Sequence, residues 1–266
     1  MSVPIALTIA GLDPSAGAGI AADLKTFSAL GVYGAAVVTA LTAQNTQGVF
    51  GIHDVPPDFI AAQIDAVFAD LAVGAVKIGM LGEPSAIDVV AAALDRYRPI
   101  AVVVDPVMIA SSGELLLRSE ALGRLRDLIG RARVVTPNIP EAAALLGTAP
   151  ARDEGQMSAQ AQKLLAFGAG AVLIKGGHGT GAESVDILLD ASGESVRLAA
   201  PRIATQNTHG TGCTFASAIA AGLAKGLPLP AAAREAKDYV SATLAAADRL
   251  GIGSGHGPLH HFQAWW

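Results

Sequence analysis

An α/β fold, a three-layer α/β/α sandwich around a mostly parallel central sheet with antiparallel edge strands, is what this 266-residue sequence predicts. Three observations carry that expectation. Short runs rich in Val, Ile and Ala alternate with longer helical patterns from one end to the other, the order that right-handed crossovers build into a parallel sheet. Several runs, such as Ala-Val-Val-Val-Asp at 101–105, are continuously apolar rather than alternating, as burial on both faces demands. Two stretches, Gly48–Val55 and Glu183–Leu198, break the rhythm and read as antiparallel, the second as a hairpin around Asp190-Ala191-Ser192-Gly193.

In chain order the parallel strands are expected at Ile5–Ala10, Ala35–Thr42, Ala75–Ile78, Ala101–Asp105, Val134–Thr136 and Ala171–Lys175. Helices are expected at Ile20–Leu30, Asp58–Leu71, Pro84–Tyr97, Glu120–Ile129, Pro140–Leu146, Ser158–Phe167, Thr214–Gly226 and Leu229–Leu250. No linker or internal repeat interrupts them, so residues 1–266 are expected to form a single domain.

With 18 Lys+Arg against 23 Asp+Glu the formal charge is −5, which argues against a nucleic-acid binder that must displace counterions from phosphates. A mean hydropathy of +0.46 comes from Ala and Gly rather than from a membrane span, since no segment approaches about 18 uninterrupted apolar residues. The first basic residue is Lys25, too late for a signal peptide, and the lone Cys213 cannot form an intramolecular disulfide. A cytoplasmic location is expected, without nucleic-acid or membrane partners.

In parallel sheets ligands bind beyond the carboxyl ends of the strands, so the polar residues there are the candidates. Gly17-Ala18-Gly19-Ile20-Ala21-Ala22 fits G-x-G-x-x-A, but no acidic residue lies between Val32 and Ala43 to hold a ribose, and Leu12 to Gly17 make the turn too long for a dinucleotide fingerprint. The loop is expected instead to bring backbone close to some ligand. No G-x-x-x-x-G-K-[ST] occurs, which removes a P-loop.

The strongest local signal is Asn207-Thr208-His209-Gly210-Thr211-Gly212-Cys213-Thr214, which opens an apolar helix. It reads either as a nest of N–H groups for an anion or as an ordinary capped turn. Cys213 within it is either buried packing or a thiol whose pKa falls at the helix N-terminus. Asp105 ends an apolar strand, and Asn138 with Glu141 sits at a helix start, as Mg²⁺ ligands or as a simple capping pair. Lys175, followed by Gly176 and Gly177, is either a phosphate contact or a solvated strand-end residue. The histidines show no zinc spacing.

Together with Leu7–Ser15, Ala22–Gly31, Thr42–Thr46, Lys77–Leu81, Asp105–Met108 and the C-terminal Gly257–Trp266, these motifs resemble the ribokinase superfamily. Within it they resemble the bacterial hydroxymethylpyrimidine and phosphomethylpyrimidine kinase family over essentially the whole chain. The resemblance implies a ribokinase-like fold and two phosphoryl transfers from ATP with Mg²⁺, first to 4-amino-5-hydroxymethyl-2-methylpyrimidine and then to its monophosphate, in thiamine biosynthesis. It implies that Gln44 recognises the pyrimidine edge while Gly11, Asp23, Met80 and Val107 line the ring pocket. Asn138, Lys175 and Glu141 are then expected to serve ATP, Asp105 and Glu141 the metal, and Gly210, Thr211, Gly212 and Cys213 the transferred phosphoryl group. Cys213 stands where the superfamily commonly has an aspartate base. A homodimer without a fused thiamin-phosphate synthase unit is expected, and a pyridoxal kinase is the alternative activity.

Overall fold

A computed structural model describes residues 3–109, 113–114, 116–179 and 181–266. Strands β1 (Ile5–Leu12), β2 (Tyr33–Asn45), β3 (Gly48–Asp54), β4 (Ala75–Ile78), β5 (Val102–Val104), β6 (Val134–Val135), β7 (Ala171–Ile174), β8 (Glu183–Asp190) and β9 (Ser195–Pro201) form one sheet in the order 3-2-1-4-5-6-7-8-9. The pairings from β2 through β1 and β4 to β7 are parallel, while β2–β3, β7–β8 and β8–β9 are antiparallel. The ribokinase-like α/β sandwich with antiparallel edges is thus observed, and the strand order reverses between β1 and β4. Loops leaving those two strands diverge to opposite faces and open a crevice at that point.

Helices α2 (Pro57–Asp70), α3 (Pro84–Tyr97), α4 (Leu122–Ile129), α5 (Ile139–Leu146) and α6 (Glu154–Leu165) cover one face, where Ile60, Ile64, Ile87, Leu128 and Leu164 pack on Ile9, Ile78 and Val104. Helices α1 (Gly19–Ala29), α7 (Thr211–Ala224) and α8 (Leu229–Ala245) cover the other, with Phe27, Phe215, Ile219 and Ala233 against Ala6, Val103 and Leu173. Each fully buried aliphatic or aromatic side chain contributes roughly 1.5–3 kcal/mol. Small residues dominate α7: Ala216, Ala220 and Ala221 are fully buried, and a Cβ at Gly222 would come within 2.8 Å of Ala232 Cβ, so the α7–α8 contact depends on their absence of bulk.

Local chemistry sets the helix boundaries. Pro57 and Pro84 start α2 and α3, where a missing N–H costs nothing. Asp153 caps α6 by accepting from Gln156 N, so the helix begins at Glu154 and ends at Leu165 rather than running from Ser158 to Phe167. The expected helix from Glu120 opens instead as a 3₁₀ turn, Ser119–Ala121, ahead of α4, and the last helix stops at Ala245 before a second 3₁₀ turn, Ala247–Arg249. Helix α7 starts three residues before the expected Thr214, because Gly210 adopts the left-handed conformation (φ +82°) and lets the chain turn straight into it. Strand β2 runs on to Asn45, so Gln44 lies in a strand paired with Val49 rather than in a loop.

Candidate active site

A cleft of about 580 Å³ opens over the carboxyl ends of β1, β4, β5 and β7. At one end it is lined by Gly11, Gln44, Met80 and Val107. Gly11 is needed there, since a Cβ would stand 3.1 Å from the Met80 sulfur. Gln44 Oε1 lies 3.1 Å from Thr42 Oγ1. Asp23, expected among these residues, is not one of them. Its carboxylate is fully buried, bonded by Lys77 Nζ at 2.8 and 2.9 Å and by the hydroxyls of Thr8 and Ser217 at 2.6 Å. A carboxylate with four such contacts from three donor groups is part of the packing between β1, α1, β4 and α7 and does not line the cleft.

The middle of the cleft carries the charge. Lys175 Nζ lies 2.7 Å from Asp105 Oδ1 and 3.9 Å from Glu141 Oε2. Burial alone would lower the lysine's pKa, but these two carboxylates raise it above the ordinary value, so it stays cationic. Burial pushes the Glu141 carboxyl up to about 7 against the pull of Lys175. Asn138 Oδ1 accepts from Glu141 N at 2.8 Å while Glu141 Oε2 accepts from Asn138 N at 2.7 Å, a reciprocal capping box. The capping reading of this pair is the one observed, and both residues also line the cleft.

Opposite them is the start of α7. Thr211 turns both its N–H and its hydroxyl back on Thr208 O, and Thr214 N–H donates to Gly210 O. Gly212 and Cys213 keep first-turn N–H groups with no carbonyl partner inside the helix, as the expected anion nest would require. A Cβ at Gly212 would lie 3.1 Å from Lys175 Nζ, so glycine allows the lysine to stand against the nest. Of the two readings of Cys213, the lowered thiol is not the one seen: desolvation pushes it up to about 11, with the Asp23 and Asp105 carboxylates adding to the rise, against the Lys77 ammonium and a hydrogen bond from Gly19 N–H.

The far end of the cleft is a slot walled by Pro201, Ile203, Val240 and Leu244. Beneath it Lys237 Nζ pairs with Asp186 Oδ2 at 2.7 Å, and Asp186 Oδ1 accepts from Gly176 N at 2.8 Å, which ties the loop after β7 to α8 and β8.

Sequence reasoning missed this slot, because its residues come from β9, the loop after it and α8 and share no motif. It also gave no role to Asp13 and His209, though both lie within its motifs. Asp13 accepts from Ser15 N and Oγ, Gly17 N, Ala18 N and His209 Nε2, the last at 2.8 Å. Burial would raise its pKa, yet His209 and the other donors hold the carboxyl at about 2. A signal existed: Asp13 lies just before the glycine loop and His209 just before the nest. Ala18 and Gly19 of the glycine loop line the cleft, and its glycines have a packing role besides. A Cβ at Gly17 would overlap the His209 ring, 2.3 Å from Cδ2, and one at Gly210 would meet Gly17 O at 1.9 Å. The glycines let two segments of the protein touch each other.

A sheet of this order, with a glycine-rich helix start over its strand ends and no P-loop in the sequence, is that of a ribokinase-like small-molecule kinase, a phosphotransferase. A family model described as phosphomethylpyrimidine kinase matches residues 13–260, and the chain belongs to that family. It is 56% identical over 263 residues to the hydroxymethylpyrimidine/phosphomethylpyrimidine kinase of Rhizobium meliloti, covering 98% of each chain. It is 53% identical over 262 residues to the protein so described from Escherichia coli, again covering 98% of each. Among solved structures, an ADP complex of Bacillus subtilis pyridoxal kinase superposes with a TM-score of 0.91 at 35% identity over 99% of both chains. Phosphomethylpyrimidine kinase from Clostridium difficile superposes at 0.79 with 43% identity, over 90% of this chain and 98% of that one. Among the described residues no helix is long and apolar enough to cross a membrane.

Proposed function

We propose that the protein moves the γ-phosphoryl group of ATP onto the hydroxymethyl oxygen of 4-amino-5-hydroxymethyl-2-methylpyrimidine, and then phosphorylates the product again, as a step of thiamine biosynthesis. The observation that carries this reading is the end of the cleft where the Gln44 carboxamide stands beside Gly11, Met80 and Val107 in the same cleft as the Gly212–Cys213 helix start. The slot by Val240 and Leu244 fits the flat base of ATP, which sets its phosphates toward Lys175. Phosphoryl transfer has a loose transition state, so positioning and charge neutralisation supply most of the rate. Lys175 neutralises phosphate oxygens, and the nest donates to the charge that develops on them.

Asp105 and Glu141 are the carboxylates placed to hold Mg²⁺. Both are already engaged by Lys175 or by the α5 cap, and no group of three metal-ligating side chains occurs among the described residues. Such a sparse donor set fits an ion carried mainly by substrate phosphates and water. When bound, Mg²⁺ supplies further neutralisation of the phosphate charge. The direct test is ADP release with the aminopyrimidine and with pyridoxal supplied separately. Turnover of the first with little of the second supports the reading, and the opposite preference replaces it with a pyridoxal kinase.

Gln44→Leu should raise the KM of the pyrimidine and lower its kcat/KM by about 1–3 kcal/mol, with ATP kinetics unchanged, because a buried ring edge loses its partner. Unaltered pyrimidine kinetics would remove Gln44 from the site. A thiol held near 11 is neutral at physiological pH, which favours Cys213 as a wall of the nest over Cys213 as a base. Cys213→Ala should therefore slow both phosphorylations alike, by no more than about tenfold, since the backbone donors survive. A loss of about 10²–10⁴-fold confined to the first step, together with a vanished ascending pH limb, would restore the base role.

The reading extends to a single kinase domain over residues 1–266, a cytoplasmic location where ATP is plentiful, and a homodimer. Exposed Leu41, Phe50 and Ile52 on the β2–β3 edge support self-association. Sedimentation of Phe50→Asp as a monomer, against a dimeric parent, tests it.

A further inference from the structure

Two loops meet at one ring nitrogen. His209 Nε2 stands 2.8 Å from Asp13 Oδ2 and 3.4 Å from the Gln44 amide nitrogen. Asp13 is held ionised by five donors, so it has no proton to give, and the short contact requires hydrogen on Nε2 whatever the state of Nδ1. The neighbouring Gln44 amide nitrogen then faces a donor. On the other side Thr42 Oγ1 lies 3.1 Å from both Leu12 O and Gln44 Oε1, two acceptors for one hydroxyl hydrogen.

Turning the carboxamide by half a rotation resolves both conflicts. The oxygen then takes the weaker, 3.4 Å branch of a three-centre bond from the Nε2–H that His209 gives chiefly to Asp13, the nitrogen donates to Thr42 Oγ1, and Thr42 donates to Leu12 O. We infer that His209, fixed by Asp13, is a positioning residue that sets the polarity of the Gln44 carboxamide and thereby the way round a 4-aminopyrimidine enters the cleft. The inference rests on the proposed aminopyrimidine substrate and goes beyond it.

The consequence follows from the ring's own chemistry. The 4-amino group is a donor and N3 an acceptor, side by side, and the reactive hydroxymethyl group is on C5, next to the amino group and away from N3. With the Gln44 oxygen on the His209 side, the amino group binds there and the hydroxymethyl group points toward Gly210 and the nest that His209 precedes in sequence. With the opposite polarity N3 occupies that side and the hydroxymethyl group points away from the phosphoryl donor. The Asp13–His209 pair thus favours the productive orientation, and it disfavours a 4-oxo ring, whose N3–H donor and oxygen acceptor reverse the pattern.

The test compares kcat/KM for 4-amino-5-hydroxymethyl-2-methylpyrimidine with that for its 4-oxo analogue, with thermal midpoints as a folding control. The parent protein should prefer the amino compound by about 10²–10⁴-fold. His209→Leu should cut that preference at least about tenfold and raise the pyrimidine KM without changing the ATP KM. His209→Gln, whose amide N–H reaches the position of Nε2, should restore most of it. In a Gln44→Leu background His209→Leu should add nothing, because its effect passes through that side chain. An unchanged preference in His209→Leu, or an undiminished further loss in the Gln44→Leu background, overturns the inference while leaving the kinase reading intact. If His209→Leu does not fold, His209→Gln and the shorter His209→Asn carry the comparison: retained preference in the first and lost preference in the second is the expected result, and equality overturns it. A parent that does not phosphorylate the aminopyrimidine overturns both readings.

Discussion

Lys175→Met is expected to lower kcat for both phosphorylations by about 10²–10³-fold, the scale for losing one preorganised charge at a transferring phosphoryl group. Both steps should suffer equally, because each moves the same γ-phosphoryl group past the same ammonium. The substitution has a second effect that must be separated from the first. Asp105 is 1% exposed and takes its ion pair from Lys175, so removing the lysine alone strands a buried charge, at a cost of about 3–5 kcal/mol. Lys175→Met combined with Asp105→Asn removes that charge and should recover much of the lost stability, as read by denaturant unfolding, without recovering activity. A well-folded double variant turning over at the parent rate would show that Lys175 only balances Asp105.

Gly210→Ala should be nearly as damaging for a different reason. The backbone there has φ +82°, which costs an L-residue about 1–2 kcal/mol. The added Cβ would also stand 1.9 Å from Gly17 O, and that loop cannot retreat freely because Asp13 holds Gly17 N and Ala18 N. Relief must come from displacing the first turn of α7, the donors of the nest, and a shift near 1 Å at a reacting group costs on the order of 10²-fold in rate. Gly226→Ala is the matched control: φ is +84°, but nothing lies within 4 Å of the new Cβ. It should lower the thermal midpoint slightly and leave kcat at the parent value. If Gly210→Ala does no more than that control, the contact with Gly17 does not shape the site.

Much of this molecule is legible without its coordinates. Continuous apolar runs such as Val102–Val104 predict strands covered on both faces, and the hairpin after Lys175 is marked by its Asp-Ala-Ser-Gly turn, because period and turn chemistry act over a few residues. Gln44, Asp105, Asn138, Glu141, Lys175 and the Gly-Thr-Gly-Cys helix start could be picked out because a parallel sheet collects its strand ends at one edge. Three things were not legible, and all depend on which side chains meet across the fold. Asp23 is a pocket residue by the family resemblance, yet it turns inward to Lys77, Thr8 and Ser217, contributed by three other elements. The thiol of Cys213 is raised rather than lowered, since the extent of its burial is set by packing from the whole site while the helix dipole that would lower it is a local property. The Asp13–His209 contact spans 196 residues of chain. Local chemistry determined the elements and the inventory of groups at the sheet edge; only the tertiary structure decided which of those groups are spent on one another and which remain free to meet a ligand, because hydrogen-bond partners and desolvation are set by neighbours in space.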